Sequence, residues 1–122
     1  MGSMNSVTLI GRLGADPELK YTPSNKAVCN LRLATSEFYK DASGARQEKT
    51  EWHNVTVWDK AAEGCGKFLS KGSECAVTGR LQTRQWDDKD GNKRYTTEVV
   101  ADRVIFIGSG KGKKSEDEGL PF

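Results

Sequence analysis

The sequence predicts an all-β protein of five strands, with one short helix between the third and the fourth. Three observations predict it. Residues 50–60 (TEWHNVTVWDK) alternate, which sets His53, Val55 and Val57 on one side and Trp52, Asn54, Thr56 and Trp58 on the other. Residues 74–86 repeat the pattern, with Cys75, Val77, Gly79 and Leu81 opposite Thr78, Arg80, Gln82, Arg84 and Trp86. Between them, residues 60–71 hold the only good helical spacing, Ala61, Cys65, Phe68 and Leu69, with Gly72 placed to end it.

In chain order, Met1-Gly2-Ser3 precede a second methionine and read as a cloning scar, with Met4 as the expected natural start. Residues 6–13 (SVTLIGRL) form the first strand, which Gly14-Ala15-Asp16-Pro17 stops because proline cannot continue a ladder. A connection with Pro23, Ser24 and Asn25 follows. Residues 27–36 form the second strand, with Cys29, Leu31, Leu33 and Thr35 opposing Val28, Asn30, Arg32 and Ala34. Phe38-Tyr39-Lys40 then leads into the turn chemistry of residues 41–46, so the second and third strands make a long hairpin arm. Gly64 and Gly66 each weaken the helix by about 1 kcal/mol relative to alanine, which leaves packing to hold it. After Trp86, residues 87–92 (DDKDGN) make a turn with an Asp-Gly signal, and residues 95–107 supply a last strand rich in β-branched side chains. Five strands with a helix after the third match the small Greek-key barrel called the OB-fold, a scaffold for oligonucleotides and oligosaccharides.

At 122 residues the chain has room for one core, and residues 4–107 account for it. No apolar run approaches the roughly 20 residues of a membrane span, and no signal-peptide layout opens the chain, so a cytoplasmic location is expected. Cys29, Cys65 and Cys75 are odd in number and lack CxxC spacing, which points to core thiols and away from a disulfide framework or a zinc site. Net charge is only +2, so attraction for anions must come from local patches.

Function is legible in the two tryptophan-bearing strands. If Val55 and Val57 face the core, Trp52 and Trp58 are displayed outward, where rings flanked by guanidinium groups suit stacked bases and phosphates. The competing reading packs these tryptophans inside the barrel or against a subunit, but the valines already claim that side. Arg80 and Arg84 would be ordinary solvated charges without the aromatic company of Trp86. His53 lies on the valine side as a buried or interface histidine, not a catalytic one. Asp87, Asp88 and Asp90 lack the remaining ligands of a calcium loop and read as a turn; no phosphate loop or catalytic motif is present. A non-enzymatic binding sheet for single-stranded nucleic acid, without metal or cofactor, is the expectation. An OB-fold adapter or oligosaccharide-binding module is the alternative, and a metal-dependent nuclease built on residues 87–90 is a more distant one.

The stretches TLIGRLGADPELKYTPSNKAVCNLRLATSE, TEWHNVTVWDK, FLSKGS, VTGRLQTRQW and RYTTEVVAD together resemble the bacterial single-stranded DNA-binding proteins, over residues 5–107 and again in Leu120-Pro121-Phe122. That resemblance implies OB-fold subunits, usually homotetrameric, that wrap single-stranded DNA in replication, recombination and repair without strong sequence preference. It implies base stacking by Tyr39 (with Phe38 beside it), Trp52, Trp58 and Trp86, phosphate contacts by Lys60, Lys71 and Arg84, and a subunit contact near His53. Arg80 joins the phosphate group from the shared-face argument. The resemblance also implies an acidic tip that docks on replication and repair proteins, here Glu116, Asp117, Glu118, Gly119, Leu120, Pro121 and Phe122. Residues 108–115 form a linker much shorter than is general in that family, so the tip is expected to extend about 50 Å at most.

Overall fold

The computed structural model of the chain describes residues 2–108. Six strands and one helix follow in order: β1 (Val7–Leu13), β2 (Glu18–Tyr21), β3 (Ala27–Lys40), β4 (Arg46–Trp58), α1 (Asp59–Phe68), β5 (Glu74–Asp87) and β6 (Lys93–Gly108). Lateral order is β1-β5-β6-β4-β3-β2, and β1 also pairs with β3, which closes five of the strands into a barrel. This is the OB-fold architecture the alternation predicts, with the helix between the two tryptophan-bearing strands.

The sixth strand is the addition. β2 pairs with β3 from Glu18 opposite Asn30 to Tyr21 opposite Ala27, outside the barrel closure. All four of its residues are exposed, so it has no buried side to leave a period-2 signature, and sequence reading takes it for a connection.

The helix buries a face that only partly matches the one expected. Ala62, Cys65 and Leu69 enter the core, while Ala61 and Phe68 face out, Phe68 with two thirds of its surface exposed. Trp58 stays extended at the helix start and Asp59 turns through a left-handed φ of 62°, so the entry angle selects the buried face. The helix also ends earlier than expected. Leu69 caps it by donating to the Cys65 carbonyl, and Gly72 (φ 90°) lies in the following turn, where its N–H reaches the Leu13 carbonyl at 2.8 Å.

The core gathers Leu13, Cys29, Leu31, Leu33, Val55, Val57, Cys65, Leu69, Cys75, Val77 and Val99. Fully burying such side chains stabilises by about 1.5–3 kcal/mol each. The three thiols are all buried and free, and burial raises each pKa, that of Cys65 to about 12 and that of Cys75 to about 11. They remain neutral small apolar groups at any physiological pH.

Two ribbons leave this barrel. Beyond Ala34 and Trp52, β3 and β4 pair only with each other, down to Lys40 opposite Arg46. Beyond the β4–β6 pairing, β5 and β6 run on to Asp87 opposite Lys93. Both end in the same turn. Asp41 and Asp88 each accept two backbone N–H groups on Oδ1, from Ser43 and Ala45 and from Asp90 and Asn92, while Gly44 (φ 86°) and Gly91 (φ 82°) supply the left-handed position. These bonds favour the ionised carboxylate, led by the Ser43 hydroxyl at Asp41 and the Asn92 N–H at Asp88, and both pKa values are lowered.

Candidate nucleic-acid interface

Residues directly opposite across a ladder project to the same side of the sheet, so the pairing register decides which side chains share a face. Val28 lies opposite Trp58 and Ala34 opposite Trp52, and Thr56 is registered with Val100 across the parallel β4–β6 pair. Val100 in turn lies opposite Arg80, and the β5–β6 register then runs without a break to Trp86 opposite Arg94. Trp52, Trp58, Arg80, Arg84 and Trp86 therefore lie on one continuous outer face. Leu33 opposite His53, Leu31 opposite Val55 and Cys29 opposite Val57 lie on the core side.

The three tryptophans are 48%, 40% and 42% exposed (Trp52, Trp58, Trp86), so each is seated in the protein and still presents ring surface to solvent. Trp52 rests against Gly14, where a Cβ would come within 2.3 Å of ring carbon Cζ3, and the Arg32 guanidinium lies 5.2 Å from its ring centroid. Trp86 is fixed by a hydrogen bond from Nε1 to the Thr96 hydroxyl at 2.9 Å, diagonally across the β5–β6 ribbon. Trp58 ends β4 and borders an open cavity of about 360 Å³.

Arg80 and Arg84 are both engaged with acids. Arg80 contacts Asp102 at 3.2 Å and Arg84 contacts Glu98 at 3.4 Å. Asp102 is there because β6 bulges: Thr78 faces Arg103 and Gly79 faces Ala101, which leaves Asp102 as the extra residue. Lys60 in the first turn of α1 and Lys71 in the loop before β5 are exposed, and among the described residues neither is in an ion pair. The Lys71 backbone is held in place by its N–H to Asp16 Oδ1 at 2.8 Å.

The β3–β4 arm separates Tyr39 from Phe38. Tyr39 lies opposite Gln47, on the parity of His53, whereas Phe38 lies opposite Glu48, on the parity of Trp52. Both rings are at least half exposed, because the arm has no layer packed on either side, and Arg46 lies 4.3 Å from the Phe38 ring centroid. Phe38 is thus the ring that continues the tryptophan face by register. His53 is half-buried and its Nε2 lies 2.9 Å from the Thr35 hydroxyl. The tip residues Glu116, Asp117, Glu118, Leu120, Pro121 and Phe122, and the linker after Gly108, lie outside the described residues.

Sequence reading did not reach Gly14, Arg32 and Thr96 as supports of the rings. Alternation shows that Arg32 points outward but not that it meets Trp52. For Gly14 and Thr96 no local signal exists, since both act on a residue distant in sequence or across a ribbon.

The model of the single-strand binding protein family matches residues 4–107. A Neisseria meningitidis protein named single-stranded DNA-binding protein is 44% identical over 120 residues, covering 98% of this chain and 67% of its own. Single-stranded DNA-binding protein 1 of Chlorobaculum tepidum is 50% identical over 107 residues, covering 87% of this chain and 66% of its own. This chain thus spans about two thirds of the length of these relatives. Among solved structures, a Plasmodium falciparum SSB in complex with ssDNA superposes with a TM-score of 0.80 at 32% identity, over 88% of this chain and 97% of the other. A deletion mutant of the Thermus aquaticus single-stranded DNA-binding protein gives 0.75 at 38% identity, over 85% and 50%. By sequence over nearly its whole described length, and by fold, the chain belongs to the single-strand binding protein family.

Proposed function

We propose that this protein binds single-stranded DNA on the outer face of β3, β4, β5 and β6, by stacking bases on Trp52, Trp58 and Trp86 and contacting phosphates with Lys60, Lys71, Arg80 and Arg84. The observation that carries this reading is three half-exposed tryptophans on one face, contributed by β4 and β5 and interleaved with cations. Stacking contributes about 1–3 kcal/mol per base and tolerates any sequence, because every base has a π-face. A duplex already stacks its bases internally, so it gains little from the same rings. Phe38 extends the stacking surface along the β3–β4 arm, with Tyr39 on the arm's other side.

Arg80 and Arg84 must exchange Asp102 and Glu98 for phosphate, so each contributes less than an unpaired lysine would. Replication, recombination and repair follow as the processes that expose single strands. In this reading the family's homotetramer forms with His53 near a subunit contact, in the cytoplasm at the nucleoid, and the tip from Glu116 to Phe122 recruits partner proteins through its acids and its apolar residues. A Phe122→Ala variant should then lose partner binding and keep DNA binding.

The decisive experiment is intrinsic tryptophan fluorescence during titration with poly(dT), at several salt concentrations and with a duplex control. Strong quenching by the single strand alone is expected, with affinity falling by about 0.7 log units per log unit of salt for each phosphate neutralised. Absence of quenching in folded protein at low salt refutes the proposal, and displacement of poly(dT) by an oligosaccharide would replace it with a sugar-binding one.

A further inference from the structure

We infer that the turn between β2 and β3 is a phosphate-holding subsite, in which Lys26 and the hydroxyls of Thr22 and Ser24 bind the backbone of the nucleotide whose base stacks on Trp58. This rests on the DNA-binding reading above and extends the path beyond its cations. The cavity of about 360 Å³ beside Trp58 is lined by Thr22, Ser24, Lys26 and Asp59, which gives it a flat ring, a cation and two hydroxyls in a space suited to a small organic ligand.

The turn is preorganised. Thr22 N–H donates to the Lys26 carbonyl at 2.9 Å, Asn25 N–H to the Thr22 carbonyl at 2.7 Å, and Asn25 takes a left-handed φ of 66°. The Thr22 hydroxyl accepts from Lys26 N–H at 3.1 Å and lies 3.0 Å from the Ser24 hydroxyl. Of those two hydroxyls one donates to the other, so one O–H remains to donate outward to a phosphate oxygen. This is the bonding scheme of the two ribbon turns, with Thr22 in the place of Asp41 and Asp88. The exchange matters chemically, because an anionic carboxylate at that position would repel a phosphate and a hydroxyl does not.

Register aims the amine. Lys26 precedes β3 by one residue and stands two before Val28, which lies directly opposite Trp58. It is exposed, and among the described residues it has no acidic partner, unlike Arg80 and Arg84. A phosphate at Lys26 therefore releases counterions without first displacing a protein carboxylate. Asp59, the one acid lining the cavity among the described residues, repels a phosphate on its own side and so directs it toward Lys26.

The test compares poly(dT) titrations of the full chain with those of Lys26→Gln, Lys26→Arg, Asp59→Asn and Lys49→Gln, each at four salt concentrations. Lys49 lies opposite Glu37, on the His53 parity of the β3–β4 arm and so off the outer face; its substitution removes the same charge from elsewhere. Expected are a salt slope shallower by about 0.7 in Lys26→Gln, an unchanged slope in Lys26→Arg and Lys49→Gln, and tighter binding in Asp59→Asn. The Lys26→Gln loss should be alike on poly(dA) and poly(dC), as a phosphate contact requires. An unchanged slope in Lys26→Gln, with the unsubstituted protein binding normally, overturns the subsite and leaves the DNA-binding reading intact. Equal losses in Lys26→Gln and Lys49→Gln reduce the effect to net charge and also overturn it. Failure of the unsubstituted protein to bind overturns both readings.

Discussion

Replacing Gly14 with alanine should weaken DNA binding without unfolding the barrel. The added Cβ would meet Trp52 at 2.3 Å from Cζ3 and 2.5 Å from Cη2, whereas carbon atoms in contact sit about 3.5–4.0 Å apart. The ring edge must retreat by roughly 1 Å or more, which also disturbs its contact with Arg32, now 5.2 Å from its centroid. The atoms displaced belong to the end of a half-exposed side chain and not to backbone, so the stability cost should stay below about 1 kcal/mol. For binding, Trp52→Ala sets the full scale. A stacked base worth about 1–3 kcal/mol corresponds to roughly 5- to 150-fold in affinity at 1.4 kcal/mol per tenfold. Gly14→Ala keeps the ring but misplaces it, and should fall inside that range at about 3- to 10-fold. Tryptophan quenching by poly(dT) measures affinity, and thermal melting measures stability in the same samples. A Trp52→Ala protein that binds as tightly as the parent would refute stacking at this position. A Gly14→Ala protein that binds normally while Trp52→Ala does not would refute the seating argument alone.

Glu98→Gln should release Arg84 from its 3.4 Å ion pair, giving tighter poly(dT) binding and a salt slope steeper by up to about 0.7; weaker binding would mean that Glu98 orients the arginine productively. Because folding lowers the Asp41 and Asp88 pKa values below the ordinary 3.8, the folded state holds fewer protons than the unfolded one. Their stabilisation is thus complete above that value and is lost as pH falls through the folded values. Amide exchange should show both ribbon turns loosening only below about pH 4, and Asp88→Asn should remove the pH dependence from the β5–β6 turn. Gly79→Ala places a Cβ 2.1 Å from the Val100 carbonyl oxygen and 2.9 Å from Ala101 Cα, both main-chain atoms, so β5 and β6 must part at the bulge. A loss of about 2 kcal/mol or more is expected, read as a fall in Tm of about 10 °C, and an unchanged Tm would show that the bulge relaxes freely.

Alternation is a property of the strand itself, fixed by covalent geometry, so the sequence alone determined that Trp52 and Trp58 share a side opposite Val55 and Val57, and that Arg80, Arg84 and Trp86 share another. It likewise determined the ribbon turns, whose Asp and Gly residues act on backbone only a few positions away. Sequence left β2 unread because none of its four residues is buried, and misplaced part of the buried face of α1 because the left-handed φ of Asp59 sets the helix's rotation at its first residue. Only the tertiary structure decided that the two tryptophan-bearing strands contribute to one face, since that depends on β6 lying between them with Thr56 and Val100 in register. It alone brought Gly14 and Arg32 to Trp52, set Glu98 and Asp102 against the arginines, and left Lys26 without an acidic partner among the described residues, beside Trp58. Register and ion pairing join residues tens of positions apart, through free-energy differences of the whole barrel, and no local pattern in the chain encodes them.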